Sequence, residues 1–381
     1  MFGFRHNRIK LKGAVVIAVF SLTVLALSVN SFLAGAPPAQ VMGVKDKKLD
    51  TRPVRPLTTD VKNIIYVSTS GSDSAGNGGS KSPYKTISHA LSKAKPSTRI
   101  EVQSGTYNEY IVSARSGSSS EPIILQAKGR VVLKGNENNG RIMELRHDYY
   151  IVSGFEFTGK DILLWLQEAD HNVIQNNYFH HADGECVRMK YHSNDNLFEK
   201  NRVEHCGRED FEGDGGGKNG EGVYIGTAPE QLSKNPTKET DKSDGNIVRN
   251  NTFATFGNEC VDVKEGSSLN IIEFNSCTEQ KDTESGGMNS RGNGNIFRYN
   301  YIFNNRGAGI RFGGDESKDG LSNEAYGNRI ENNKHVAVKV QRMPQGRICG
   351  NVHSGNRSFS NRKEILNPPC SFELKTPGVQ K

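Results

Sequence analysis

The segment ECVDVKEGS (259–267) places Glu259, Asp262, Lys264 and Glu265 within seven positions of one another. Comparable short strands occur at ECVRMK (185–190), EGVYIG (221–226), GMNSR (287–291) and AGIRFG (308–313). Side chains alternate along a strand, so Val187, Met189, Val223, Ile225, Val261 and Val263 belong to an inner face. The outward column is then Arg188, Tyr224, Asp262, Asn289 and Arg311, with Lys190, Gly226, Lys264, Arg291 and Gly313 beside it. Glu185, Glu221 and Glu259 stand where the strands begin. Stacked strands lie about 4.8 Å apart, which makes Lys264 and Arg291 neighbours. Like charges stacked in this way gain nothing unless an anion lies between them. For Arg188, Lys190 and Arg311, a solvated charged face accounts for the residues equally well.

The columns depend on a repeat. The pattern Asn, two apolar residues, two mostly polar residues, Asn reads NVIQNN (172–177), NLFEKN (196–201), NIVRNN (246–251), NIIEFN (270–275), NIFRYN (295–300) and NRIENN (328–333). A degenerate predecessor, YYIVSG, ends at Gly154, and the steps between motif ends are 23, 24, 50, 24, 25 and 33 residues. Steps of about 24 with short β-rich pieces and Asn/Gly turns predict an all-β, right-handed parallel β-helix, each coil stacking its apolar residues on the next. The step of 50 holds two coils, with insertions at 208–220 and 227–245 that would wall a groove over the charged columns. Asn177, Asn201, Asn251, Asn275, Asn300 and Asn333 are expected at one corner, in left-handed backbone and bonded to the next coil. An open end exposes strand edges, so residues 64–107 are expected to cap the helix, with Thr86 as N-cap of a short helix over ISHALSKA.

The remaining composition agrees. Apolar residues are 34% of 381, with 41 glycines, which is thin for a compact globule and adequate for stacked layers. Arg5, Arg8, Lys10 and Lys12 precede an uncharged stretch from Gly13 to Met42 whose strongest part is AVVIAVFSLTVLAL. This reads as a signal peptide over 1–36, with a single-pass membrane anchor as the alternative. Residues 37–60 read as a linker, 61–375 as the β-helix domain and 376–381 as a tail. Removing 1–36 lowers the net charge from +7 by four, to +3, too weak a basicity to argue for nucleic acid. Six cysteines in an exported chain suggest disulfides; Cys349 with Cys370 would tie down the tail, and the other pairings stay open.

The motif Glu-x-Val-x-x-Lys at 259–264, followed one coil later by Arg291, resembles the secreted β-helical polysaccharide lyases that include chondroitinase B and alginate lyases. The resemblance covers 60–355 as architecture and 219–313 as motif. It implies Lys264 as Brønsted base and Arg291 as acid or neutraliser of a carboxylate. It also implies Glu221, Glu259 and Asp262 as holders of Ca2+, and Arg188, Lys190, Tyr224, Asn289 and Arg311 as substrate contacts. The implied reaction is β-elimination on an acidic polysaccharide of the pectate, alginate or glycosaminoglycan kind, by a secreted monomer. The family's Arg-His-Gly is Arg291-Gly292-Asn293 here. A base at Lys264 needs a depressed pKa, which Arg291 favours and Asp262 opposes. A glycoside hydrolase would instead use paired carboxylates, such as Asp183 with Glu185 or Asp210 with Glu212 and Asp214. A uronate epimerase shares the lyase's first step, and a non-catalytic glycan-binding protein would use the groove only to grip.

Overall fold

The computed structural model describes residues 60–374. The leader, nearly all of the linker and the tail lie outside the described residues. Strands dominate, and all the paired strands run parallel to their neighbours. One nine-stranded sheet stacks, in order, Ile111–Val112, Arg141–Leu145, Ile162–Gln167, Val187–Lys190, Val223–Ile225, Val261–Val263, Gly286–Ser290, Ala308–Phe312 and Val338–Val340. The opposite side begins with Asn63–Val67, followed by the long strands Thr98–Tyr107, Ile123–Leu133 and Tyr150–Thr158. Tyr150–Thr158 pairs with both Val173–Gln175 and Tyr178–His180, so each later coil carries two short strands there, separated by a corner.

The inner face is the expected one. Val187, Met189, Val223, Ile225, Val261 and Val263 are all fully buried. Phenylalanines stack between coils, Phe157 on Phe179 at 4.6 Å and Phe179 near Phe198 at 5.7 Å between ring centroids. The N-terminal helix Ile87–Lys93 forms where expected, with Thr86 Oγ1 accepting from the His89 N–H at 3.1 Å. Its Ile87, Ala90 and Leu91 close the core. Two further helical turns, Arg208–Phe211 and the 3-10 turn Pro229–Lys234, lie in the insertions, where no periodic pattern announced them.

Asparagine ladders join the coils. Asn251 donates its N–H and Nδ2–H to Asn275 Oδ1 at 3.0 Å each, and its Nδ2–H also to the Phe198 carbonyl at 3.0 Å. The same arrangement runs through Asn177, Asn201, Asn251, Asn275, Asn300, Asn328, Asn351 and Asn367. Two expectations are corrected here. Asn333 stands in a separate ladder between Asn305 and Asn356, because NEAYGN (323–328) is the true equivalent coil, with Glu324 at an apolar position of the pattern and Tyr326 at a polar one. The left-handed residues are those just before the ladder asparagines: Asn176, Lys200, Asn250, Phe274 and Tyr299, with φ of 55–58°. That turn aims the following asparagine inward, where its amide replaces the strand bonds lost at the corner.

Three disulfides fasten the coils: Cys186–Cys206, Cys260–Cys277 and, as expected, Cys349–Cys370. The last brings Phe372 and Leu374 onto Tyr299, Tyr326 and Cys349 at the C-terminal end. Among the described residues, no helix is long and apolar enough to cross a membrane.

Candidate active site

The nine-stranded sheet places Arg188 beside Tyr224, Tyr224 beside Asp262, Asp262 beside Asn289 and Asn289 beside Arg311. This is the outward column read from strand alternation. The flanking pair follows the same register: Val263 faces Ser290, so Lys264 and Arg291 leave adjacent strands together. Gly292 then turns the chain where a Cβ would lie 2.0 Å from the Ser267 carbonyl oxygen, so no larger residue fits after Arg291.

Lys264, Arg291, Tyr224, Glu221, Glu259, Asp262 and Arg311 line one trough of about 460 Å³. The expected insertions wall it, Lys218 and Asn219 from the first, Glu230 and Gln231 from the second. Asn289 is fully buried beneath this surface; its Nδ2 donates to Asp262 Oδ1 at 2.9 Å, and its Oδ1 accepts from Arg311 at 3.3 Å. It therefore orients Asp262 from below. Arg188 and Lys190 line a second, neighbouring cavity. Tyr224 offers no open face for stacking, since Lys264 Nζ and the Arg188 guanidinium each stand 4.3 Å from its ring centre.

Lys264 Nζ lies 2.5 Å from Asp262 Oδ2 and 3.4 Å from Glu221 Oε1, all three side chains buried. Burial alone would lower the lysine pKa, but Asp262, Tyr224, Glu221 and Glu259 outweigh it and hold the ammonium well above its ordinary value. The opposition between Arg291 and Asp262 is thus decided for Asp262, which touches the ammonium. Burial would raise Asp262, yet Lys264 and then Arg291 hold it below the usual aspartate range. Glu221 and Glu259 are pushed up, chiefly by burial, so the cluster carries less negative charge than three carboxylates would suggest. Arg291 is raised: burial opposes, and Asp262, Glu265 and Asp315 prevail. Its Nη1 reaches Glu265 at 3.3 Å and Asp315 at 3.5 Å.

Glu221, Glu259 and Asp262 each present an oxygen within 4.8 Å of the others, and form the one such group among the described residues. Glu259 Oε1 accepts from Ser285 Oγ, while its Oε2 is buried without a hydrogen-bond partner. Three hard oxygen donors with an orphaned lone pair suit a hard divalent cation such as Ca2+.

Several site members escaped the sequence. Ser285, Asp315 and Gln231 sit in segments without strand periodicity; Glu265, already conspicuous in the charged cluster, follows the strand, where alternation assigns it no face. Of the hydrolase candidates, Asp210 is occupied by the loop N–H groups of Lys218 and Asn219 at 2.7 and 2.5 Å. Glu185 is paired with Arg188 at 3.2 Å, and Glu212 with Arg208 at 3.3 Å.

Comparison with known proteins bears on the scaffold. Residues 65–229 match the family described as Pel9A-like, right-handed β-helix region. An alginate lyase from Paenibacillus sp. str. FPU-7 superposes with a TM-score of 0.62 at 19% identity, covering 79% of this chain and 99% of that one. The pectate lyase Pel9A superposes with a TM-score of 0.51 at 15% identity, covering 78% and 80%. At such identities the likeness establishes the fold. The uncharacterized protein YwoF of Bacillus subtilis (strain 168) is 28% identical over 113 residues, 28% of this chain, and the match spans 24% of that relative's length.

Proposed function

We propose that the protein is a polysaccharide lyase that cleaves a uronic-acid polymer by β-elimination in the Lys264–Arg291 trough. The observation that carries the reading is one cation pair on adjacent coils facing a water-accessible trough, with a buried carboxylate cluster beneath. The alginate and pectate lyases with the same fold are consistent with it.

β-Elimination removes the proton at C5 of a uronate, forms the C4–C5 double bond and breaks the bond from C4 to the bridging oxygen. The acidity of C5 depends on neutralising the adjacent carboxylate as negative charge builds on it. Arg291 suits that role, because its charge is permanent and Glu265 and Asp315 hold it in position. Lys264 is the proposed base. As an ammonium held by Asp262 it cannot accept a proton, so this contact must open before turnover. Glu221, Glu259 and Asp262 would hold a divalent cation, which would supply positive charge at the carboxylates and at the sugar acid. Tyr224, its pKa pushed up to about 12 first by burial, keeps its proton at working pH, and we assign it the protonation of the departing oxygen.

The test is incubation with pectate, alginate and glycosaminoglycans, with calcium and with a chelator, while following ultraviolet absorbance of the unsaturated product. A rise that needs the cation and disappears in Lys264→Ala supports the reading. Release of reducing ends without that absorbance overturns it in favour of a hydrolase.

A further inference from the structure

A larger cavity, about 720 Å³, adjoins the trough along the same sheet. Arg188, Tyr224 and Gln231 form the divide between them: Arg188 Nη2 donates to Gln231 Oε1 at 3.1 Å, and the Tyr224 ring backs onto the guanidinium. The floor of this cavity centres on Trp165, which pairs in register with Arg188. Arg141 lies 3.5 Å from the indole ring centre and Lys190 Nζ 5.0 Å. Arg141 is compensated by Glu144, and Arg188 by Glu185 at 3.2 Å. Lys190 is different. It is 4% exposed, yet among the described residues no carboxylate lies within ion-pairing distance of its ammonium, which borders the cavity.

A buried cation without an ion-pair contact is costly, and its pKa is lowered to about 8, by burial first and Arg188 next, with the more distant Asp241 and Glu185 offsetting only part of this. Two more polar atoms at this cavity are buried without partners, Asn235 Oδ1 and Arg188 Nε. Asn235 spends its Nδ2 on Thr227 Oγ1 at 3.2 Å, leaving its carbonyl oxygen as a free acceptor. A cation without an ion-pair contact and an acceptor without a donor line one cleft, which is the polarity of a sugar acid.

We propose that this cavity is a distinct binding subsite for an anionic sugar residue, Lys190 holding its carboxylate and Asn235 accepting from a hydroxyl. Only the identity of the parent polymer rests on the lyase reading. Trp165 is the single tryptophan of the chain, so its emission reports this cavity alone.

The full chain, kept in chelator so that the proposed chemistry is silent, is titrated with galacturonate and mannuronate trisaccharides and with their methyl esters. Trp165 emission, with calorimetry alongside, is expected to change saturably with the acids. Affinity should fall at least about tenfold for the esters and in Lys190→Met, the loss of one charge-assisted hydrogen bond. Asn235→Ala, in the insertion, should weaken the acids severalfold and serves if Lys190→Met does not fold. Equal response to acids and esters, no saturable response, or affinity unchanged in the variants overturns the subsite. Acid-specific binding without any unsaturated product in the calcium assay leaves the subsite standing and sinks the lyase reading; unsaturated product without Trp165 response does the reverse.

Discussion

Replacing Lys264 with methionine removes the ammonium that stands over Tyr224 and keeps most of the aliphatic stem. What remains is Asp262 and Glu221, 1% and 3% exposed, with Glu259 beside them and no lysine to compensate. Breaking a buried ion pair from one side costs about 3–5 kcal/mol, because the surviving charge stays out of water. The cost should depend on pH in a definite direction. Glu259 and Glu221 have native pKa values raised to about 7 and about 8. Their contribution to stability is full below the unfolded value near 4.5 and is lost as pH rises through 7 to 8. Asp262 stays ionised and Lys264 protonated across that window, so neither changes sign within it. Lys264→Met should therefore lose about 3–5 kcal/mol at pH 8 and distinctly less at pH 5, where both glutamates take up protons. Urea unfolding, read by circular dichroism at both pH values in chelator, measures this. Since the ammonium and a divalent ion compensate the same oxygens, calcium should restore the variant's midpoint, by about 2.7 kcal/mol at a hundred times its dissociation constant. A variant as stable as wild type at pH 8, or equally destabilised at both pH values, would refute the placement of Lys264 among three carboxylates.

Chelation should abolish formation of unsaturated product, and Glu259→Gln should raise the calcium needed for half-maximal rate at least about tenfold, as assayed by initial rates against free calcium. Wild-type protein in chelator should show a lower thermal midpoint at pH 8 than at pH 5, and the gain on adding calcium should be larger at pH 8. Asn275→Ala should cost about 3 kcal/mol by urea denaturation, since it strands two donors of Asn251, each buried donor costing about 1–3 kcal/mol. Cys370→Ser should lower stability by about 3 kcal/mol through loss of a 21-residue link, with protease cleavage appearing first C-terminal to Cys349.

Strand alternation made the outward column readable because it needs only the apolar spacing, and Val187, Val223 and Val261 supplied that without ambiguity. The coil at 323–328 was hidden because Glu324 and Tyr326 break the hydropathy pattern while Asn323 and Asn328 keep the ladder; bonding, not hydropathy, defines that unit. The partners of Arg291 were illegible for a related reason. Asp315 comes from a loop one coil further on, 24 residues away, and no periodicity links a loop to a strand. The charge state of Lys264 depended on which neighbour its ammonium touched, a matter of about an ångström that residue order does not encode. Cys186 and Cys260 each stand just before a strand of the nine-stranded sheet, and their partners Cys206 and Cys277 lie 20 and 17 residues on, a relation visible only once the coils are closed.

The ladder from Asn177 to Asn367 makes every rung ask the same thing of its neighbour. Such uniformity makes rungs interchangeable: a whole turn gained or dropped away from Lys264 leaves the joints on either side satisfied. Lineages can therefore lengthen or shorten the shaft, and with it the sheet that carries the trough, without renegotiating the centre.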